Sequence, residues 1–337
     1  MFAALKHYQR AVQSRWPGMA VAGMVALAAS FISASYGGPQ LLYALFFGLA
    51  LHFLAQEPSC QPGIEFCSKS VLRLGVALLG ARVTLPQIAE LGSGVIVVVL
   101  GAVLSTIGLG YVLARALGRP ASEGLLSGGA VGICGASAAL AIAAILPQTK
   151  ENERFTLLTV VGVTSLSTLS MIIYPLVVKL AGLEASAAGV FIGGSIHDVA
   201  QVVGAGYLIS NHVGDIATVV KLTRVACLVP VVLCLSMLYY SRHGRTSPNL
   251  STLVPGFLLL FVVLMLANTF ALFAPKLVQL MNGLSRACLV TAIGALGVKT
   301  SLQSLAALGW RPVLMLVAET VWIAGFVLLA VLMIWKG

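Results

Sequence analysis

SGGAVGICGASAALA (127–141) and GVFIGGSIHDVAQVVGAG (189–206) decide the fold. Each is an apolar run that ought to continue as a helix, and each is broken by clustered glycine. Glycine costs about 1 kcal/mol against alanine inside a helix, so two such clusters need a reason. A half-helix ending inside a membrane leaves backbone N–H groups and the positive end of its dipole unpaired, which suits an anion. Glycine-interrupted apolar segments are also the sequence pointer to a midplane binding site in transporters. The second segment carries His197, Asp198 and Gln201.

Composition places the chain in a membrane. Its 337 residues are 59% hydrophobic and 9% charged, too little polar surface to clothe a soluble globule. Mean hydropathy is +1.02. Apolar runs of about 20 residues, the length that crosses a bilayer, predict about eleven spans. They lie at 17–36, 40–56, 70–90, 93–114, 123–146, 155–180, 187–209, 215–240, 251–273, 277–306 and 310–335. The expected fold class is an all-α polytopic membrane protein with inverted repeats and glycine-broken helices. We expect one transporter unit over 1–337, whose core, 70–240, holds both breaks.

The net charge of +10 does not point to nucleic acid, because the basic residues are scattered between spans with no cluster and no aromatic interleaving. They read as topology. With the N-terminus inside, Lys6, Arg10, Arg15, Lys69, Arg73, Arg115, Arg119, Lys179, Arg242, Arg245, Lys299 and Arg311 fall in or beside cytoplasmic loops. Lys150, Arg154, Lys276 and Lys336 fall outside, so the bias predicts a cytoplasmic N-terminus in a bacterial inner membrane. SAS (33–35) resembles a signal-peptide cleavage site, but the apolar stretch is long and another span follows at once. The six cysteines form no disulfide framework and no zinc-like spacing, so they read as reduced thiols. Cys134 is set apart by its place in the first glycine segment.

Residues 68–92 align with 285–309 at a constant offset of 217, with 8 of 25 positions identical and Arg82 matched by Lys299. The repeated segments, 68–118 and 285–335 in full, begin in the third and tenth predicted spans. That odd separation makes them antiparallel, as in an inverted repeat. The two broken segments are the fifth and seventh, an even separation that makes them parallel if both cross. Either one is re-entrant, the count is off by one, or the second half is permuted.

RLGVALLGARVTL (73–85), VGICGASAA (131–139) and GGSIHDVAQVVGAG (193–206) resemble the YeiH-type family of bacterial inner-membrane proteins, described as sulfate exporters. The resemblance runs from about residue 40 to the end and rests chiefly on the last phrase. It implies a fold related to cation/proton antiporters and bile-acid symporters, with a core domain of broken crossing helices and a second panel.

On a helix, His197, Gln201, Gly193 and Gly204 share a narrow sector with Asp198 at its edge. An ionisable residue inside a bilayer is a functional candidate by default. The alternative is that His197 and Asp198 only satisfy backbone groups freed by the glycines. Lys221 and Arg224 share a face of the next span. Arg224 is expected either to pair with Asp198 or to hold an anion, and Lys221 to snorkel to the outer interface. Arg82 falls near mid-membrane, where a guanidinium suits an oxyanion or a helix-end carbonyl. The candidate binding set is Gly132, Cys134, Gly135, Ser137, Ser195, His197, Asp198, Gln201, Arg224 and Arg82. Glu319 reads as a structural partner with nothing tying it to the glycine segments, and His52 and Asn268 as packing residues.

Three function classes follow. A secondary transporter of a small anion, sulfate or a sulfur oxyanion such as sulfite, fits broken helices and intramembrane cations. A Na⁺- or H⁺-coupled exchanger or organic-anion symporter would instead use His197 and Asp198 for the cation. An intramembrane Ser137–His197 enzyme is disfavoured, because Ala138 stands where the rhomboid pattern has glycine. No nucleotide motif, cofactor or metal site is expected. The partners are the anion, the bilayer and protons, with a homodimer left open.

Overall fold

The computed structural model describes residues 2–37, 40–89, 92–146, 149–243, 256–300 and 310–336. Every regular element among them is helical. Among the described residues six helices are long and apolar enough to cross a membrane, and several shorter apolar helices accompany them. The protein is an all-α polytopic membrane protein. The chain folds as two compact units, one of residues 1–85 and 259–301, the other of 86–258 and 302–337.

The first unit holds α1 (Phe2–Tyr36), α2 (Gln40–Ala50), α3 (Gln61–Phe66), α4 (Leu72–Leu79), α14 (Gly256–Thr269, which enters the unit at Leu259) and α15 (Pro275–Lys299). A π turn, Cys67–Val71, joins α3 to α4. Glycine lets these helices touch through their backbones. A Cβ on Gly18 of α1 would collide with Cys60 O, and one on Gly48 of α2 with Gly294 O of α15. Ser285 Oγ donates to Gly75 O at 2.6 Å, while Cys67 packs with Ala295 and Val298. From the π turn into α4, rising numbers thus meet falling numbers on α15, so this continuous stretch and α15 run antiparallel. Arg82 sits half-buried in the turn that ends α4, and Lys299 is the last residue of α15. Aligned positions therefore end both helices. The partner segment's tail, 301–309, lies outside the described residues, as do 90 and 91. His52 Nδ1 lies 2.8 Å from Val298 O.

The second unit contains α6 (Ser93–Ala116), α7 (Ala121–Gly132), α8 (Ala136–Ala143), α9 (Lys150–Leu180), α10 (Ala185–Ser195), α11 (Val199–Ile209), α12 (Asn211–Ala226), α13 (Leu228–His243) and α16 (Trp310–Lys336). The short α5 (Leu85–Ala89) precedes it.

Both broken segments double back. A Cβ on Gly129 of α7 would collide with Ile142 Cδ1 of α8, which a straight helix would hold about 20 Å away. Ser122 Oγ, at the start of α7, reaches Asn152 Oδ1 at the start of α9 at 3.5 Å. The pair α7–α8 is therefore a re-entrant hairpin. In the other segment, Gly189 faces Val213 and Ile216 while Gly193 faces Ala217 and Val220, so α10 and α12 run parallel. Gly206 faces Gly214 and Ala217, so α11 and α12 run antiparallel. The pair α10–α11 is then a second hairpin. The 31-residue α9 joins the mouth of the first hairpin to the mouth of the second, so the two enter from opposite ends.

Two expectations change as a result. The stretches 123–146 and 187–209 return to the end they leave, because glycine at each break permits a reversal that hydropathy cannot distinguish from a crossing. Parity had allowed one re-entrant segment, and the structure has two. Lys150 and Arg154, expected on the face opposite Arg119, share an end with it: Arg119, Glu151, Arg154, Trp310 and Arg311 line one cavity of about 350 Å³. The first hairpin brings the chain back to that end before α9 begins.

Candidate functional site

The breaks are three residues each, Ile133–Gly135 and Ile196–Asp198. Gly135 has φ +63° and ψ −127°, a conformation essentially restricted to glycine. Its N–H donates to Ala130 O at 2.8 Å, which folds the first tip tightly. Asp198 is extended, and its N–H donates to Ser167 Oγ of α9 at 3.1 Å. Gln201 Nε2 donates to Thr168 Oγ1 at 3.4 Å, tying the second tip to the same stretch of α9. The tips touch: a Cβ on Gly135 would lie 3.8 Å from Asp198 Cβ and from His197 Cβ.

Four helix ends converge there, in two pairs. The C-terminal ends of α7 and α10 are held by Arg224, which has no solvent exposure. Its Nε donates to Gly132 O at 2.9 Å and its Nη2 to Val131 O and Gly132 O at 2.8 and 2.7 Å. Its Nη1 donates to Gly193 O, Gly194 O and Ile196 O at 3.2, 2.8 and 3.0 Å. Lys221, equally buried, donates to Ile133 O at 2.7 Å and Ile196 O at 3.0 Å. A helix C-terminus carries about half a negative charge and up to four unpaired carbonyls. One arginine and one lysine satisfy two such ends at once.

The other pair is the N-termini of α8 and α11. Their first-turn N–H groups have no intrahelical acceptor. Neither cap residue, Gly135 or Asp198, supplies a side-chain hydrogen bond to them. Two positive dipole ends therefore meet where the tips touch. Arg224 and Lys221 lie on one side of the tips, and Asp198 is the carboxylate beside them.

The expected site residues separate on this geometry. Gly132, Cys134, Gly135, Ser195, His197, Asp198, Gln201 and Arg224 lie in or against the tips. Cys134 is a buried free thiol. Ser195 Oγ donates to Phe191 O of its own helix. Ser137 is exposed on the first turn of α8. Arg82 belongs to the other unit. Arg224 is neither an Asp198 partner nor an open fork, because all its N–H groups are spent on carbonyls. Lys221 does not snorkel: it is buried at the tips, since α12 runs inward from its turn at Ser210 and residue 221 is already at their depth. Glu319 is tied to the first glycine segment, accepting from Ser127 Oγ at 2.7 Å. His197 Nε2 lies 2.9 Å from Thr320 Oγ1. An acid and a threonine inside an otherwise apolar helix were the available signal for both contacts. Among the described residues no group of His, Cys, Asp and Glu is placed to hold a metal ion.

The model of a family described as conserved hypothetical protein 698 matches residues 17–316. A UPF0324 membrane protein of Chlorobaculum tepidum is 51% identical, over 93% of this chain and 88% of that one. The UPF0324 membrane protein TauZ of Paracoccus denitrificans is 46% identical over 94% of each. One from Rhizobium meliloti is 48% identical over 93% and 91%. No solved structure matches the chain. This protein belongs to the UPF0324 family of membrane proteins, which fits its YeiH-type resemblance.

Proposed function

We propose that the protein is a secondary transporter that exports a small inorganic anion, sulfate or a related sulfur oxyanion such as sulfite, across the bacterial inner membrane. The observation that carries this reading is the meeting, at the Gly135–Asp198 contact, of two helix N-termini whose cap residues supply no side-chain hydrogen bond. Backbone N–H groups and dipole ends there favour negative charge, and Arg224 and Lys221 add to the field. The tips occupy the middle of the unit, as an alternating-access site requires. An inside-negative potential is worth about 2.3 kcal/mol per charge per 100 mV, so a dianion gains about twice that by leaving the cell. The end bearing Arg119, Arg154 and Arg311 is assigned to the cytoplasm by its basic character, and the N-terminus is taken to be cytoplasmic on the same rule.

The competing reading is a Na⁺- or H⁺-coupled exchanger with its cation at His197 and Asp198. Sodium would draw on carbonyl oxygens at a helix break, and here those carbonyls already accept from Arg224 and Lys221. Flux of labelled sulfate and sulfite into proteoliposomes, with and without an imposed potential, separates the two. Potential-driven anion flux supports the proposal. Sodium or proton flux with no dependence on anion overturns it.

A further inference from the structure

α16 carries two adjacent polar residues that reach different hairpins. Glu319 Oε1 accepts from Ser127 Oγ on α7, and Thr320 Oγ1 meets His197 Nε2 at the second tip. The Thr320 hydroxyl donates to Leu316 O at 2.6 Å, so its oxygen is the acceptor for His197. Glu319 has no solvent exposure, and Oε2 has no hydrogen-bond partner. Among the described residues no cation pairs with it.

Room for this carboxyl is built into the packing. A Cβ on Gly110 of α6 would lie 2.7 Å from Glu319 Oε1 and would collide with Gly124 O of α7. A carboxylate deprived of both water and a counter-cation is costly, so the packed state favours the neutral acid. A carboxyl that is neutral while α7 and α16 are packed can ionise only when that contact opens to water. Glu319 and Thr320 are consecutive, so one turn of α16 is the attachment of both hairpins.

We infer that Glu319 is a proton-binding site that couples hairpin movement to proton transfer. On opening, the carboxyl O–H bond breaks, the proton passes to water and the electron pair stays on the carboxylate. Closing reverses the step. This rests on the anion-transporter reading and names its coupling group. The titratable groups around Glu319 are few. From α7 comes Glu123, one turn before Ser127 and held by Arg119 at 2.6 and 2.7 Å. His197 comes from the second tip through Thr320, and beyond it Lys221 and Arg224 of α12 are committed to carbonyls. The acids and bases of α9, Lys150, Glu151, Glu153 and Arg154, sit on its exposed first turn, and Tyr174 lies beside Phe191. Arg115, with Tyr111, is at the exposed end of α6.

Two measurements on the full chain test this. Dicyclohexylcarbodiimide reacts with protonated carboxyls in apolar surroundings, and mass spectrometry reads the adduct. Glu319 is expected to be labelled at neutral pH and to lose labelling as pH rises. Its absence from the adducts overturns the inference. In proteoliposomes, the ratio of sulfate accumulation driven by a pH gradient to sulfate counterflow should fall at least tenfold in Glu319→Gln. An unchanged ratio overturns it. If wild-type protein moves neither sulfate nor sulfite while Glu319 labels as expected, the anion reading fails and the proton site stands.

Discussion

Gly135 and Asp198, the cap residues of two helices that belong to hairpins entering from opposite ends, are in contact. A Cβ placed on Gly135 would lie 3.8 Å from Asp198 Cβ. The chain thereby sorts its four broken ends by polarity. Negative ends face two buried cations, and positive ends face each other.

Arg224 is accordingly a clamp on backbone carbonyls. Its loss strands four carbonyl oxygens at once, those of Val131, Gly132, Gly193 and Gly194, and leaves Ile196 O to Lys221 alone; hydrogen bonds to a charged group are each worth about 1.5–3 kcal/mol. Arg224→Gln should cost more than about 3 kcal/mol and lower the unfolding temperature of the purified protein strongly. A variant that unfolds like wild type while losing only anion binding would return Arg224 to the binding set.

Gly135→Ala should fold but bind anion poorly. An added Cβ would meet Asp198 and His197 only at ordinary van der Waals distance, 3.8 Å, so the penalty is backbone strain of about 1–3 kcal/mol, met by rearranging the tip. Gly108→Ala on α6, with nothing within 4 Å of the added methyl, is the matched control and should be neutral or slightly stabilising. Thermal shift with sulfate compares the two.

Asp198→Asn removes the negative charge that competes with substrate at two helix N-termini. Sulfate affinity should rise about tenfold or more, equivalent to about 1.4 kcal/mol. The cation-exchanger reading expects loss of activity instead, and titration calorimetry distinguishes them.

Ser137 is exposed at the first turn of α8, so Ser137→Cys should alkylate readily. Sulfate or sulfite at the N-terminus should slow that reaction severalfold, whereas sodium should not. Equal rates with and without anion would place the substrate elsewhere.

Much of this was legible in the residues. Apolar length and glycine clustering marked the membrane fold and both breaks, because helix propensity and hydropathy are local properties. The direction of the chain after each break was not legible, since 127–141 has the same hydropathy whether it crosses or returns. Lys221 and Arg224 were visible as a pair three residues apart, but their acceptors are carbonyls, which every residue has and no sequence pattern marks. Glu319 lay 192 residues from Ser127, and only the fold brings them together.

The central claim is that the N-termini of α8 and α11 together hold an anion. Its most direct measurement is equilibrium binding of sulfate, sulfite and sodium to purified wild-type protein and Gly135→Ala. The account predicts saturable binding of at least one of the two anions to wild type, at least tenfold weaker in Gly135→Ala. Binding of sodium alone, or anion binding indifferent to the Gly135 substitution, would contradict it.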